Sequence, residues 1–258
     1  MPRSALWAVI DRPHSLGHKM MGKLFVLIVV LVLSSSASLL GQAEQTGYEL
    51  GAYVSQHNWQ PRSFQIGPPQ ASMPVALGYR YTDHVAYGVR ANFLSEGHWA
   101  GELSYSYQKN TATLTRQSFT PVALRGAVHH FFYNEVFYPI RYGRHVVPFI
   151  TGGIGLAAYQ LSDEARARAA DPRIYGLGTL RSTDKRVALN YGAGVKANIV
   201  SHFGIRGDFR HIFSDVPSYG IPKESPNPRQ VVLPIQGKLQ IYEFSVGIYF
   251  RALSEGFK

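Results

Sequence analysis

Arg210-His211-Ile212-Phe213-Ser214-Asp215 gathers a histidine, a serine and a carboxylate within six residues, the side-chain types of a hydrolytic nucleophile and its base. Such chemistry needs Ser and His within hydrogen-bond reach and a third group to orient the His. His211 and Ser214 are three apart, which on a strand puts them on opposite faces. His129-His130 are metal-ligand types, yet adjacent strand residues also point apart, so sharing one ion is unfavourable. Gly152-Gly153-Ile154-Gly155 and Gly192-Ala193-Gly194 sit in strand-like sequence with no Lys-Ser/Thr behind them, so they do not make a phosphate loop. With no cysteine in 258 residues, thiol catalysis, zinc-thiolate sites and disulfide scaffolds are excluded. No catalytic residue, metal site or cofactor is predicted.

What remains are charges spaced along elements that must position them. From residue 48 onward the dominant period is two, the period of strands. Eight strands are predicted at about 47 to 57, 75 to 94, 99 to 109, 119 to 132, 146 to 160, 186 to 199, 203 to 213 and 238 to 251. In the second, Val75, Leu77, Tyr79, Tyr81, Val85, Tyr87, Val89 and Phe93 all fall on odd positions. Parity does not change across Thr82-Asp83-His84, so one long strand is expected, the alternative being a three-residue loop. The other apolar faces read Tyr48/Leu50/Val54, Trp99/Leu103/Tyr105/Tyr107, Val122/Leu124/Val128, Ile150/Ile154/Leu156, Val187/Leu189/Tyr191/Val195, Phe203/Ile205/Phe209 and Tyr242/Phe244/Val246/Ile248/Phe250. Eight antiparallel strands can close into a barrel without unpaired edges. Connections after strands 2 and 6 are tight, those after the odd strands are long and polar, and Tyr133 to His145 is the exception. Long loops at one end, with short turns and both termini at the other, is the layout of a transmembrane barrel.

The polar face decides which side meets lipid. It carries Glu49, Arg80, Arg90, Glu102, Arg125, Lys196, Arg206, Asp208, Arg210 and Glu243 among Ser, Thr, Asn and Gly. A soluble outer surface is normally rich in Lys and Glu, whereas this face is poor in Lys and small, as a crowded eight-strand interior requires. The ten residues are therefore read as a lumen charge network, and the aromatics as the lipid face. The fold class is an all-β, eight-stranded, antiparallel up-and-down transmembrane β-barrel. Formal charge is +10, but the cations alternate along strands instead of clustering, so nucleic acid is not a predicted partner.

Ahead of the barrel, Lys23, the apolar run Leu24 to Leu33 and the small residues to Gly41-Gln42-Ala43 have the three regions of a secretory signal. Ten apolar residues span only about 15 Å as a helix, half a bilayer core. Residues 1–43 are read as a leader cleaved after Ala43, with the true start at Met20 or Met21, and 44–258 as the barrel; the alternative is an uncleaved signal anchor.

These features resemble the small eight-stranded outer membrane β-barrels of Gram-negative bacteria, the group that includes the OmpA transmembrane domain and OmpX. The resemblance covers about residues 44 to 251 and rests on the leader, Gly88-Val89-Arg90-Ala91-Asn92-Phe93, Pro148-Phe149-Ile150-Thr151-Gly152-Gly153-Ile154-Gly155 and the last strand. It implies export through the periplasm, insertion in the outer membrane, and an assembly signal at Gly247, Ile248 and Phe250, read by the outer membrane assembly machinery. In the family the closing aromatic is often the last residue; here Arg251 to Lys258 follow. Some such barrels deacylate lipid A, with Ser and His two apart, a spacing that His211 and Ser214 lack. The implied role is non-enzymatic, structural or surface-interacting, by a monomer with a side-chain-filled lumen. A narrow channel for small solutes or hydrophobic compounds is the alternative, and a lipid A enzyme a further one. Outer membrane lipids are expected partners. The loop of about 161 to 185, with Arg166, Arg168, Arg173, Arg181 and Lys185, is a candidate contact for lipopolysaccharide phosphates, a simple solvated loop being the alternative. The prolines at 217, 222, 226, 228 and 234 predict a stiff, non-helical outer segment.

Overall fold

The computed structural model describes residues 45–60, 62–66, 75–82, 84–95, 97–116, 122–140, 145–171, 178–222 and 238–253. The leader, its cleavage point and both candidate start sites lie outside them. Ten strands follow in order: β1 Gln45–Trp59, β2 Arg62–Ile66, β3 Val75–Tyr81, β4 His84–Ser95, β5 Trp99–Arg116, β6 Val122–Phe137, β7 Val146–Leu161, β8 Thr183–Val200, β9 Phe203–Asp215 and β10 Lys238–Leu253. One helix, α1 (Asp163–Ala170), interrupts the connection between β7 and β8.

The ten segments make eight barrel strands. β1 and β2 keep one register against β4 and β3, as the pairs His57/His84 and Arg62/Tyr79 show. β3 and β4 both pair with β5, so they too count as one strand. Each strand is antiparallel to its neighbours, and β10 closes on β1 from Gly47/Leu253 to Trp59/Ile241. A row of paired residues started at Glu49 runs through Asn92, Glu102, Asn134, Gly153, Asn190, Ile212 and Ile241 and meets β1 again at Trp59. That offset of ten residues is the shear of the barrel. With about 3.3 Å per residue and 4.8 Å between strands, it tilts the strands by about 41°, within the range of closed barrels.

At that tilt each residue advances about 2.5 Å along the barrel axis. Phe203 and Phe213, both on the outer face of β9, are thus about 25 Å apart in height, the depth of an outer membrane apolar band. Between them the outer wall exposes Leu50, Val54, Tyr87, Val89, Ile150, Leu189, Val246 and Ile248, each at least half exposed. Tyr48, Phe93, Trp99, Phe137, Phe203 and Phe250 cluster at the end holding the termini, with Tyr48 edge-on to Phe93 and Trp99 4.8 Å from Phe137.

Two expectations are corrected. The long strand of 75 to 94 holds a β-bulge: Tyr81 pairs with Ala112 and Ala86 with Gln108, so five steps on one strand face four on the other. The extra residue switches parity, burying Tyr81 while Val85 and Tyr87 face out. In β6 the predicted faces are reversed: Leu124 and Val128 are buried inside the barrel and Arg125 is exposed on the outer wall. β6 is apolar on both faces near its middle, so alternation gave no sign of which one turned inward. The side chains of Val122 and Arg80 lie outside the described residues.

The charged lumen and its outer cap

Inside the barrel the side chains form layers. At the end holding the termini, Leu94, Ala100, Val136, Tyr138, Val147 and Phe149 pack as an apolar floor. Above it, Glu49 accepts from Arg251 Nε at 3.0 Å and Nη2 at 2.9 Å and from Asn92 at 3.1 Å, and is paired with Lys196, whose Nζ also donates to the Tyr138 hydroxyl at 2.6 Å. Next comes the central cluster. Glu102 accepts from Arg206 and Arg210 at 2.6 Å each and from Asn134 at 3.0 Å. Asp208 accepts from Arg90 and Arg206 at 2.8 Å and from Arg210 at 3.2 Å, with Ser245 also bound to it. Arg90 lies 3.9 Å over the Tyr53 ring and Arg206 4.2 Å over that of Phe149, so the guanidinium faces are covered as well.

The ring order explains what these bonds do. β5, which carries Glu102, stands diametrically opposite β9, which carries Arg206 and Arg210. The pairs therefore cross the whole bore. Glycines make room for them: a Cβ on Gly88 would sit 2.3 Å from Tyr53 Cζ, so only glycine lets that phenol lie flat against β4 beside Arg90.

Above the charges, Glu243 accepts from His57 Nε2 at 2.7 Å, and His57 Nδ1 lies 3.1 Å from Gln108 Oε1, which also accepts from Trp59. Ser55 Oγ lies 3.3 Å from the same Nε2. Ser, His and carboxylate thus meet, but serine and carboxylate crowd one ring nitrogen, whereas a nucleophile relay needs them on opposite nitrogens. All three are buried, out of reach of a substrate. His211 and Ser214 do not meet: Ser214 is buried in the lumen against the Tyr159 hydroxyl at 2.5 Å, while His211 packs on the outer wall among Tyr191, Phe213 and Tyr242. His129 and His130 point to opposite sides, as their spacing requires. Among the described residues, no group of three or more His, Asp or Glu gathers where it could hold a metal ion.

The outer half of the lumen is an apolar core built on Trp59, Tyr81, Leu124, Phe132, Tyr159 and Ile241. Ala165 and Ala169 of α1 and Val216, Tyr219 and Ile221 of the next loop join it from above. Ser162 caps α1 by accepting from Ala165 N–H at 3.2 Å, with Asp163 and Glu164 in the first turn and Arg168 in the last. The second loop is clasped by Asp184, whose Oδ2 accepts the Ser218 and Tyr219 N–H groups at 2.7 and 2.8 Å while pairing with Arg186. That grip holds Tyr219 at a φ of 49°, followed by Gly220 at 91°. The segment through Pro217 and Pro222 is non-helical, and the remaining prolines of that loop lie outside the described residues.

Of the ten predicted lumen residues, Glu49, Arg90, Glu102, Lys196, Arg206, Asp208, Arg210 and Glu243 are buried together inside the barrel, and Arg125 is not among them. Arg251 and His57 belong there and were missed. Both carry the parity signal: Arg251 shares its face with Glu243 and Tyr249, and His57 shares its face with Glu49 and Tyr53. Gly247, Ile248 and Phe250 lie in β10, with Ile248 and Phe250 on the lipid side. An apolar furrow of about 520 Å³ on the outer wall, lined mainly by Leu50, Ala52, Val89, Leu103, Tyr105 and Ile248, faces lipid and not the bore.

Comparison with known proteins agrees with this geometry. A family model described as outer membrane protein beta-barrel domain matches residues 25–250. Among solved structures, the outer membrane protein OprG from Pseudomonas aeruginosa is similar at 11% identity and a TM-score of 0.52, covering 83% of this chain and 99% of that one. Neisserial surface protein A is similar at 11% identity and a TM-score of 0.47, covering 79% and 96%. No curated protein matches the chain.

Proposed function

The chain belongs to the outer membrane protein beta-barrel domain family, integral proteins of the bacterial outer membrane, and on that premise we propose a closed, non-enzymatic barrel whose work is done at its outer rim and wall. The observation that carries this reading is the grip of Arg206 and Arg210 on Glu102 across the full diameter, with all three side chains buried. A solute would have to part charges that sit between an apolar floor and an apolar outer core, and separating a buried pair costs about 3–5 kcal/mol. Nothing of that size is returned to a small passing solute. The side chains that remain available are those of the lipid face and the loop surface, which supports a structural or surface-interacting role for a monomeric barrel.

Planar-bilayer recording tests the reading. The refolded protein, shown to be folded by its heat-dependent gel mobility, is expected to give no stable conductance steps, whereas Glu102→Ala admits small ones. Regular steps from the unaltered protein would overturn the closed barrel in favour of a narrow channel.

A further inference from the structure

Arg125, displaced from the lumen, is one of three outward-facing cations on a single sector of the wall. Lys109 on β5, Arg125 on β6 and Lys185 on β8 are all exposed, and among the described residues none of them has an ionic partner. Of the loop cations, Arg166 is neutralised by Asp163 and Arg168 by Glu164, and Asp184 is held by Arg186 and the clasped loop, which leaves Arg181 as the described loop cation outside an ion pair. Among the described residues, most of the unneutralised charge at this end therefore sits on the wall, below the loop.

Its height is set by the register. Following the rows at 2.5 Å per residue and about 3 Å per strand, Lys109, Lys185 and Arg125 stand about 3, 7 and 11 Å beyond the level of Phe213, the upper limit of the apolar band. This is the headgroup level of the outer leaflet. Directly beneath it His129 packs on Tyr107 at 5.1 Å and accepts or donates a 2.8 Å bond with the Tyr105 hydroxyl, the polar-tipped aromatics that mark such an interface. Gln160 of β7 is exposed at the centre, with each cation's backbone about 8–10 Å from its own. Below Gln160 the wall carries the small Ala127 and Ala158 on neighbouring strands, where an acyl chain can lie close to the backbone.

We propose that Lys109, Arg125 and Lys185, with Gln160 between them, form a site for the headgroup of an outer-leaflet lipid that carries two phosphates, its acyl chains running down β6 and β7. Three cations spread this widely can reach two phosphates at once, whereas a single phosphate engages one or two of them. A basic residue near a charged lipid surface contributes about fivefold in affinity, so removing all three costs on the order of 100-fold.

The test uses the refolded full barrel in neutral detergent, titrated with bisphosphorylated lipid A and read by native mass spectrometry, with monophosphorylated lipid A and phosphatidylcholine as comparisons. The K109Q/R125Q/K185Q variant keeps the heat-dependent mobility shift and loses about 100-fold in affinity for the bisphosphorylated lipid, while R166Q/R168Q/R181Q, which removes three cations from the loop, binds as the unaltered protein does. Equal loss in both variants would reduce the effect to net charge and overturn the site. Unchanged binding by the first variant, or binding of the monophosphorylated lipid as tight as that of the bisphosphorylated one, would overturn it as well.

Discussion

Replacing Glu102 by Gln keeps the size of the side chain and removes the anion that joins β5 to β9. Glu102 is fully buried and its oxygens accept from Arg206 and Arg210 at 2.6 Å each. With charge centres about 4 Å apart and an effective dielectric near 20, each attraction is about 4 kcal/mol before the desolvation that opposes it. The net cost of deleting one partner of a buried pair is about 3–5 kcal/mol. Here one deletion strips two guanidiniums, and Asp208 is left to face Arg90, Arg206 and Arg210 together, so the upper end, about 5 kcal/mol, is expected. For an m value of about 2 kcal/mol per M, the urea midpoint falls by about 2.5 M. The assay is a urea titration in micelles, scored by the fraction that still migrates as folded without boiling. The companion variant E102Q/R210Q restores charge balance and should recover at least about 2 kcal/mol relative to the sum of the single costs. A Glu102→Gln midpoint within 0.5 M of the unaltered protein (~1 kcal/mol), or strict additivity in the double variant, would refute the cross-bore pairing.

The face assignment of β6 predicts that Arg125→Ala changes unfolding stability by less than about 0.5 kcal/mol, while Arg206→Ala, which strips Glu102 and Asp208 inside the lumen, costs about 3–5 kcal/mol; equal effects would place Arg125 back inside. Gly88→Ala puts a Cβ 2.3 Å from Tyr53 Cζ and 2.6 Å from the Tyr105 carbonyl, so it should lower stability by about 1–3 kcal/mol in the same titration, and a neutral result would mean that Tyr53 does not lie on β4. Asp184→Ala leaves the Ser218 and Tyr219 N–H groups without their acceptor and frees Arg186, which should raise hydrogen exchange at those two amides by tenfold or more, about 1–3 kcal/mol, with the barrel's heat-dependent mobility intact. Unchanged exchange would show that the outer cap does not hang on Asp184.

Strands β8 and β9 were legible because the inward side of each is dominated by charge, glycine, asparagine and serine while the other is apolar, and β7 because Ile150, Ile154 and Leu156 alternate with glycine and threonine. In β9 the inward series Arg206, Asp208, Arg210 against Ile205, Gly207, Phe209 leaves no doubt about which side meets lipid. The closing pair β10 and β1 were found in the same way, and with them most of the charge network. Three features had no such contrast. Leu124, Val128 and Phe132 line the lumen of β6 while Phe131 and Phe137 face out, so both sides read as apolar, and Arg125, the one charge in the predicted stretch of 119 to 132, pointed the wrong way. The bulge after Tyr81 adds a single residue, which is invisible to a count that continues in step on either side. α1 is too short and polar for a helical stripe, although Ser162 followed by Asp163 and Glu164 is a start signal that could have been read.

The miss in β6 has a cause that bears on what the barrel is for. An alternation test distinguishes two faces of a strand, but it identifies the lumen only where the lumen is polar. Here the lumen is polar in its middle layers and apolar above them, because Trp59, Tyr81, Leu124 and Tyr159 build an interior like that of a soluble domain, roofed by α1 and the Asp184-clasped loop. A water-filled path would have kept those positions hydrophilic along its whole length. The sequence pattern failed in the outer half because the residues there exclude water, which is what the proposed closed barrel requires, while Lys109, Arg125 and Lys185 stand on the outside of the wall.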